Sequence, residues 1–112
     1  MRVIANVRPQ PMAIYFAEFR ARPGEHLPES TETGGAYINC WIKADSAAEA
    51  QKLASAFITS EGWIVESVEH EARLIIEPDE ESRERFEQAQ VDGECYVFHK
   101  WPVGDRNEES LH

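Results

Sequence analysis

The side chains of this chain that could carry acid–base chemistry lie in its β-like segments. Cys95, His99 and Trp101 occupy alternate positions of the last apolar segment, so they share one face of a strand, and Tyr96 lies on the other. An unperturbed imidazole titrates near neutral pH, which makes His99 and His70 candidate catalytic groups, with Tyr96 beside them. No nucleophile is spaced to pair with either histidine, and a histidine beside a tryptophan on a strand is more commonly structural.

The two cysteines raise a metal alternative. Cys40, Cys95 and His99 could supply three zinc ligands, with Glu69 or His70 as the fourth, only if Cys40 lay across from the last strand. Zinc sites are normally marked by closely spaced ligand pairs, and this chain has none. We therefore expect no metal, no cofactor and no disulfide, with both thiols reduced and packed as small apolar groups.

Common catalytic and nucleotide-binding motifs are absent from the sequence. It contains no glycine-rich phosphate loop, no paired CxxC, no HExxH, no GxSxG and no EF-hand pattern. Each of these motifs exists because its chemistry needs those residue types at that spacing. Their absence removes the sequence support for nucleotide binding and for the common metal-dependent and hydrolase classes.

Large aromatic side chains give the best indication of a binding surface. Tyr37 and Trp41 share one face of their segment, whereas the other face is aliphatic. If helices cover the aliphatic face, then Tyr37 and Trp41, with Tyr96 and Phe98, project from the open face of a sheet, where exposure to water is unfavourable. These four residues are the predicted binding residues.

The charge is strongly acidic and unevenly distributed. The formal net charge is −10, and residues 61–94 contain twelve acidic side chains against three arginines. Such a surface repels phosphate backbones and anionic lipid, so we expect neither nucleic-acid nor membrane binding. A basic protein partner is compatible with it, and so is a simple solvated helix face that keeps the protein soluble.

The central third of the chain predicts a strand, a helix and a second strand. Residues 36–43 are β-rich, Ser46 with Glu49 three residues later forms a helix N-cap, and Gly62 ends the helix before Trp63. Within residues 47–60 the apolar positions recur at spacings of three and four, which predicts a buried stripe. The stripe comprises Ala50, Leu53, Ala54, Phe57 and Ile58.

The other segments are predicted from the proline, glycine and polar residues that bound them. Residues 1–11 read as an arm, 12–21 as a buried strand, 22–35 as a flexible loop, 94–101 as the last strand and 104–112 as a polar tail. Pro78 and the acidic residues after it predict a helix start. Residues 63–77 are too long for one straight strand, which leaves either a hairpin turning at residues 69–71 or one bulged strand, and we slightly favour the hairpin.

These elements predict one α+β domain, a two-layer α/β sandwich with two helices on one face of a mostly antiparallel sheet. With the hairpin, residues 36–101 read β-α-β-β-α-β, which resembles the ferredoxin-like fold with an extra N-terminal strand. Without it, the order is β-β-α-β-α-β.

The functional predictions rest on the open sheet face. No apolar run approaches the length needed to span a bilayer and no secretory signal is visible, so we expect a cytoplasmic protein. In small ferredoxin-like proteins a second subunit commonly covers the open face, which implies a homodimer, here a non-enzymatic interaction module that docks a basic partner. The alternative is a small-molecule-binding protein or cofactor-independent enzyme with His99, Tyr96 and Trp41 lining a cavity between paired sheets. A monomer that covers its own face is the third possibility.

Overall fold

The computed structural model describes residues 12–104, which form one four-stranded sheet and two helices. The strands are β1 (Ala13–Pro23), β2 (Thr33–Ala44), β3 (Trp63–Ile75) and β4 (Glu94–Pro102), and the helices are α1 (Ala47–Ser60) and α2 (Arg83–Asp92). All strand pairs are antiparallel and the strand order is β3-β1-β2-β4. The predicted α+β class with an antiparallel sheet is confirmed. The predicted arm and all but the first residue of the predicted tail lie outside the described residues.

The order of elements is β-β-α-β-α-β, because Trp63–Ile75 forms one strand. The favoured hairpin is therefore wrong, and the ferredoxin-like order that depended on it does not match the observed sheet. The N-terminal strand is also not an addition at the side. β1 pairs with β2 on one side and β3 on the other, so it lies in the middle of the sheet.

Bulges let β3 be longer than the strand it pairs with. All thirteen residues of β3 face the stretch of β1 from Ile14 to Pro23, and the register shifts at three places. A bulge leaves a residue outside the ladder, and its polar groups need another partner. Near one of the bulges, the backbone N–H of Ala72 donates to Oε1 of Gln51 on α1 at 2.9 Å.

The two helices pack on opposite faces of the sheet. Ala50, Ala54 and Ile58 of α1 pack in one cluster with Ile38 and Cys40 of β2. Ala89 and Phe86 of α2 pack in a second cluster with Trp41, whose side chain points to the other side of β2. The predicted placement of both helices on one face is therefore wrong. We call the two sides of the sheet the α1 face and the α2 face.

Helix α1 has the predicted bounds but a different buried stripe. Oγ of Ser46 accepts the N–H of Glu49 at 3.1 Å, and the chain leaves the helix through Gly62, whose φ is +95°. Ala50, Ala54 and Ile58 are fully buried, whereas Leu53 is 42 % exposed. The prediction for Leu53 is wrong because the small alanines bring the helix close to the sheet and leave Leu53 at its flank.

The predicted loop 22–35 is shorter than expected because both strands extend into it. Residues 24–32 remain between β1 and β2 and include a short 3₁₀ turn, Pro28–Thr31. Neighbouring elements hold this segment. Gly24 N–H donates to the carbonyl oxygen of Gly62 at 2.9 Å, Val103 N–H donates to that of Glu32 at 3.0 Å, and Lys100 forms an ion pair with Glu29 at 2.8 Å.

A turn precedes α2. Oδ1 of Asp79 accepts the backbone N–H of Ser82 at 3.0 Å and its hydroxyl at 2.7 Å, so the helix begins at Arg83, later than Pro78 suggested. Gly93 ends the helix with φ at +91° and leads directly into β4. Neither helix found between Met12 and Gly104 has the length and apolar character that crossing a membrane requires.

Candidate functional site

Helix α2 covers only part of its face of the sheet. It packs over Ile14, Trp41 and Cys95, close to the start of β1 and of β4. The remainder of this face, toward the hairpin between β1 and β2, is covered by no helix among residues 12–104. We call this part the open half. Its side chains are polar and aromatic and they pair with one another.

Arg20 is the centre of the first group of side chains on the open half. Its Nε lies 3.4 Å from Oε1 of Glu66, and its Nη1 donates to the Tyr37 hydroxyl at 3.5 Å. The guanidinium carbon lies 5.2 Å from the ring centroid of Trp101, within the range of a cation–π contact. Arg22 holds the other oxygen of Glu66 at 3.2 Å.

Trp101 rests on a glycine pair at the start of β2. A Cβ atom at Gly35 would lie 2.5 Å from Cζ2 of Trp101 and 2.9 Å from the carbonyl oxygen of Ala21, so no other residue fits without movement. The Trp101 ring also packs against Tyr37 at 5.0 Å between centroids. Its buried Nε1 has no hydrogen-bond partner among the described residues.

A second group, the polar row, crosses all four strands. Nε2 of His70 lies 3.2 Å from Oε1 of Glu18, and Nδ2 of Asn39 lies 3.3 Å from Nε2 of His99. Glu18 and Asn39 are directly opposite each other in the β1–β2 register, so the two pairs form one line. An amide nitrogen can only donate, so this contact is a hydrogen bond in the His99 tautomer whose Nε2 accepts.

Asn39 carries the unusual feature of the polar row. Its Oδ1 is buried and accepts no hydrogen bond from any described residue. Buried polar atoms are nearly always paired, because an unpaired one forfeits its hydration without replacement. An acceptor left unpaired in this way suits a donor that comes from outside residues 12–104.

A groove of about 470 Å³ lies beside this acceptor, between the sheet and the segment that leads into α2. Phe16, Trp41, Val97, Asn39 and His99 are among the residues that line it from the sheet. From the segment before α2 and its first turn come Glu77, Pro78, Asp79, Glu81, Ser82 and Arg85. Arg73 lies over the Phe16 ring at 5.4 Å. The groove therefore combines an aromatic floor, one open acceptor and a charged rim.

The sheet separates the four predicted binding residues. Tyr37 and Trp41 share the α2 face, but Trp41 is only 6 % exposed beneath the helix, so Tyr37 alone lies on the open half. Tyr96 and Phe98 point to the α1 face. There Tyr96 stacks on Phe57 at 4.0 Å, and Phe98 packs on Trp63 at 5.4 Å. The prediction that these aromatics share one open face is wrong, since the register pairs Tyr96 with Cys40 rather than with Trp41.

The candidate catalytic residues are not assembled into one centre. His99 and His70 share the α2 face but each contacts a different member of the polar row, Asn39 and Glu18. Tyr96 lies on the opposite face. Burial, and then its hydrogen bond to Glu94, raises the pKa of the Tyr96 phenol well above its ordinary value, which disfavours proton transfer at neutral pH.

The sheet also separates the residues of the predicted zinc alternative. Cys40 is buried on the α1 face, whereas Cys95 and His99 lie on the α2 face. Burial raises the pKa of both thiols, so both favour the protonated form that does not bind metal. Residues 12–104 contain no group of three or more His, Cys, Asp or Glu side chains placed to hold a metal ion.

Several members of the open half were missed by sequence reasoning. Glu18, Arg20 and Glu66 are ordinary charged residues on strands, and their pairing depends on a register that no local pattern reveals. The Gly34-Gly35 pair was a usable signal, because adjacent glycines at a strand start commonly mark a close approach.

Comparison of the chain with models of known protein families, with curated proteins and with solved structures gave no match. The functional argument therefore rests on the site itself.

Proposed function

We propose that the protein is a non-enzymatic interaction module that binds a basic segment of a partner protein, with one cationic side chain inserted in the groove. The observation that carries this proposal is the buried, unpartnered Oδ1 of Asn39, a residue that lines the groove. Lysine and arginine side chains carry only donors, so their charged ends complement a lone acceptor without leaving an acceptor of their own unpaired.

The groove floor suits a cation in a second way. Phe16 and Trp41 line it, and the two rings pack edge to face at 5.1 Å. The faces of aromatic rings attract cations. The groove already contains one such contact, because Arg73 lies over the Phe16 ring. A guanidinium from a partner would meet the same kind of surface.

The acidic segment around the groove supplies long-range attraction. Residues 77–94 contain eight acidic side chains and two arginines. The ion pairs found in residues 12–104 include one in this segment, between Arg83 and Glu77 at 4.0 Å. The remaining acidic charge lies at the surface, where it accelerates encounter with a basic partner and makes the association sensitive to salt.

The test is titration of the protein with a short arginine-rich peptide, followed by calorimetry at two salt concentrations. We expect one peptide per chain and a dissociation constant that rises about tenfold or more in Asn39→Leu, since a hydrogen bond to a charged group is lost. Asn39→Leu keeps the charge and nearly the volume of the side chain. The thermal midpoint of the variant is measured alongside, so that a folding defect is recognised.

The matched controls are two charge removals. Glu81→Gln removes a charge from the groove rim and should weaken binding, whereas Glu25→Gln removes one from the β1–β2 loop at the far end of the sheet and should change it little. Equal binding by the wild type and Asn39→Leu, with the same salt dependence, would show attraction to the acidic surface alone and refute the proposed site.

A small organic ligand is the second candidate occupant, favoured by the size of the groove. Its volume of about 470 Å³ falls within the range of sites that bind drug-sized molecules. An NMR screen of small aromatic amines separates the candidates. Chemical-shift changes confined to Asn39, His99 and their neighbours, without any response to the peptide, would favour the small molecule.

Dimer formation and a cytoplasmic location stay predictions. The dimer expected from the sequence used the aromatic face that carries Tyr37 and Trp41, and α2 covers Trp41. That surface therefore no longer supports the argument for self-association.

A further inference from the structure

The two edges of the sheet differ in how they are protected. β3 has three register shifts against β1, and its middle carries Glu66, Glu69, His70 and Glu71. Bulges and charges of this kind are what proteins use to prevent unwanted strand pairing. In β4 the charged residues Glu94 and Lys100 stand toward the two ends of the strand, and its middle has neither a charge nor a bulge. From Glu94 to Trp101 its register with β2 is unbroken, and its central residues are Tyr96, Val97 and Phe98.

We propose that β4 pairs antiparallel with β4 of a second copy of the chain, so that two four-stranded sheets join into one of eight strands. An antiparallel pair of identical strands has a two-fold axis, which closes the assembly at a dimer. The proposal concerns the sheet edge and does not depend on the groove or its ligand.

The hydrogen-bond pattern shows which residues of β4 face outward. Lys43 N–H donates to the carbonyl oxygen of Gly93 at 3.0 Å, so this pair belongs to the hydrogen-bonded pairs of the β2–β4 ladder. Such pairs alternate along an antiparallel ladder. The odd-numbered residues of β4 therefore direct their backbone groups toward β2. The even-numbered residues direct theirs to the outer edge, which no strand among residues 12–104 pairs with: Glu94, Tyr96, Phe98 and Lys100.

One register pairs all four of these residues with one another. When the two-fold axis passes beside Val97, Glu94 lies opposite Lys100 of the second copy and Tyr96 lies opposite its Phe98. These four pairs would exchange about eight backbone hydrogen bonds. Moving the axis to Phe98 would place Lys100 opposite Tyr96 and would set Glu94 against Pro102, which has no N–H to donate.

The side chains fit the same register. The four outward residues are on alternate positions and so share the α1 face, where Tyr96 and Phe98 already pack at the margin of the core. Opposite charges and aromatic pairs directly across an antiparallel ladder are both stabilising. The dimer would contain two Glu94–Lys100 pairs and two Tyr96–Phe98 pairs. Lys100 Nζ now reaches Glu29 at 2.8 Å, and Oε1 of Glu94 accepts the Tyr96 hydroxyl at 3.0 Å, so in the dimer each charge would exchange its present partner for the opposite charge of the second copy.

The test is a charge exchange followed by sedimentation equilibrium. We expect a dimer of the wild type whose dissociation constant rises about tenfold in Glu94→Lys and in Lys100→Glu, because each change places like charges opposite each other twice. The double variant should return close to the wild-type value. Glu87→Lys on α2 makes the same charge change as Glu94→Lys away from the edge and should have little effect.

A cross-link defines the register directly. Val97 residues at the axis would form a non-hydrogen-bonded pair with Cα atoms about 4.5 Å apart, which a disulfide can span. In a Cys95→Ser background, Val97→Cys should therefore form a disulfide-linked dimer on mild oxidation, and Ile64→Cys on the β3 edge should not.

Three results would overturn the proposal. These are a monomer at submillimolar concentration, single variants that the double variant does not rescue, or a dimer linked through Ile64→Cys instead of Val97→Cys. None of them bears on peptide binding in the groove, which is read out separately by Asn39→Leu.

Discussion

Trp101 shows how a single side chain constrains the backbone beneath it. Its ring lies against Gly35 and Tyr37 and holds the Arg20 guanidinium from one side. The end of β4 and the start of β2 can approach this closely only because the glycine has no side chain. Arg20, which pairs with Glu66, therefore packs against a ring whose position requires a glycine on the neighbouring strand β2.

The first prediction is that Gly35→Ala destabilises the fold by about 1 to 3 kcal/mol, since the new methyl group overpacks the site against Trp101 and the Ala21 carbonyl oxygen. Gly104→Ala is the matched control, because no atom lies within 4 Å of a Cβ placed there. Urea unfolding followed by tryptophan fluorescence measures both. Equal stability of the two variants would contradict the close packing described for Gly35.

Asn39 differs from the other polar residues of the open half in having an acceptor that the described chain leaves unused. Glu18, Arg20 and Glu66 are each paired. Two buried polar atoms of this surface, Oδ1 of Asn39 and Nε1 of Trp101, lack the partner that folding normally supplies, and such exceptions point to a role outside folding. The pattern that placed Asn39 on one face with Tyr37 was readable from the sequence, but the missing partner was not.

At the scale of elements, the two helices are anchored very differently. Three residues of α1 are completely buried: Ala50, Ala54 and Ile58. In α2 only Ala89 is completely buried, and Phe86 is half-buried. The side chains of α2 are otherwise mostly charged or polar. The helix that borders the groove is thus the less firmly held of the two.

The second prediction contrasts two positions of α1. Ile58→Ala should cost about 2 to 5 kcal/mol, because the side chain is fully buried and its loss leaves a cavity. Leu53→Ala should cost about 1 kcal/mol or less, because 42 % of Leu53 is exposed. Thermal and denaturant unfolding of both variants give the comparison. A larger loss in Leu53→Ala would mean that α1 is rotated about its axis relative to the structure.

Elements defined by local signals were predictable, and those defined by partners were not. Ser46, Glu49 and Gly62 fix the ends of α1 within a few residues of chain, so its bounds were predicted correctly. The bulges of β3 depend on its register with β1 and on the Gln51 side chain, which lies 21 residues from Ala72. A polar run such as residues 69–71 reads as a turn unless that partner strand is known.

At the scale of the whole molecule, the sequence indicated candidate aromatic residues but not the sheet face on which each of them lies. β2 carries large apolar side chains on both faces, and periodicity alone cannot say which face each helix covers. This ambiguity placed Tyr96 and Phe98 with Tyr37, whereas the sheet separates them. His99 was correctly assigned to the face of Cys95 and Trp101, because alternation along one strand needs no partner.

The last prediction concerns the charge of the whole molecule. A formal net charge of −10 makes the compact state repel itself, and salt screens that repulsion. Raising sodium chloride from about 0.01 M to about 0.1 M shortens the Debye length from about 30 Å to about 10 Å, so the thermal midpoint should rise. Differential scanning calorimetry at fixed pH measures the shift.

A charge-neutralising pair tests whether the repulsion comes from the acidic segment around α2. Glu84→Gln with Glu87→Gln should raise the thermal midpoint at low salt and reduce the further gain from added salt, because both side chains are exposed and neither takes part in an ion pair of the described chain. Glu25→Gln with Glu32→Gln removes the same charge from the β1–β2 loop, where acidic residues are fewer, and should act more weakly. A midpoint that falls as salt is added would show instead that the ion pairs of Glu66 with Arg20 and Arg22 outweigh the net charge, since screening weakens those attractions.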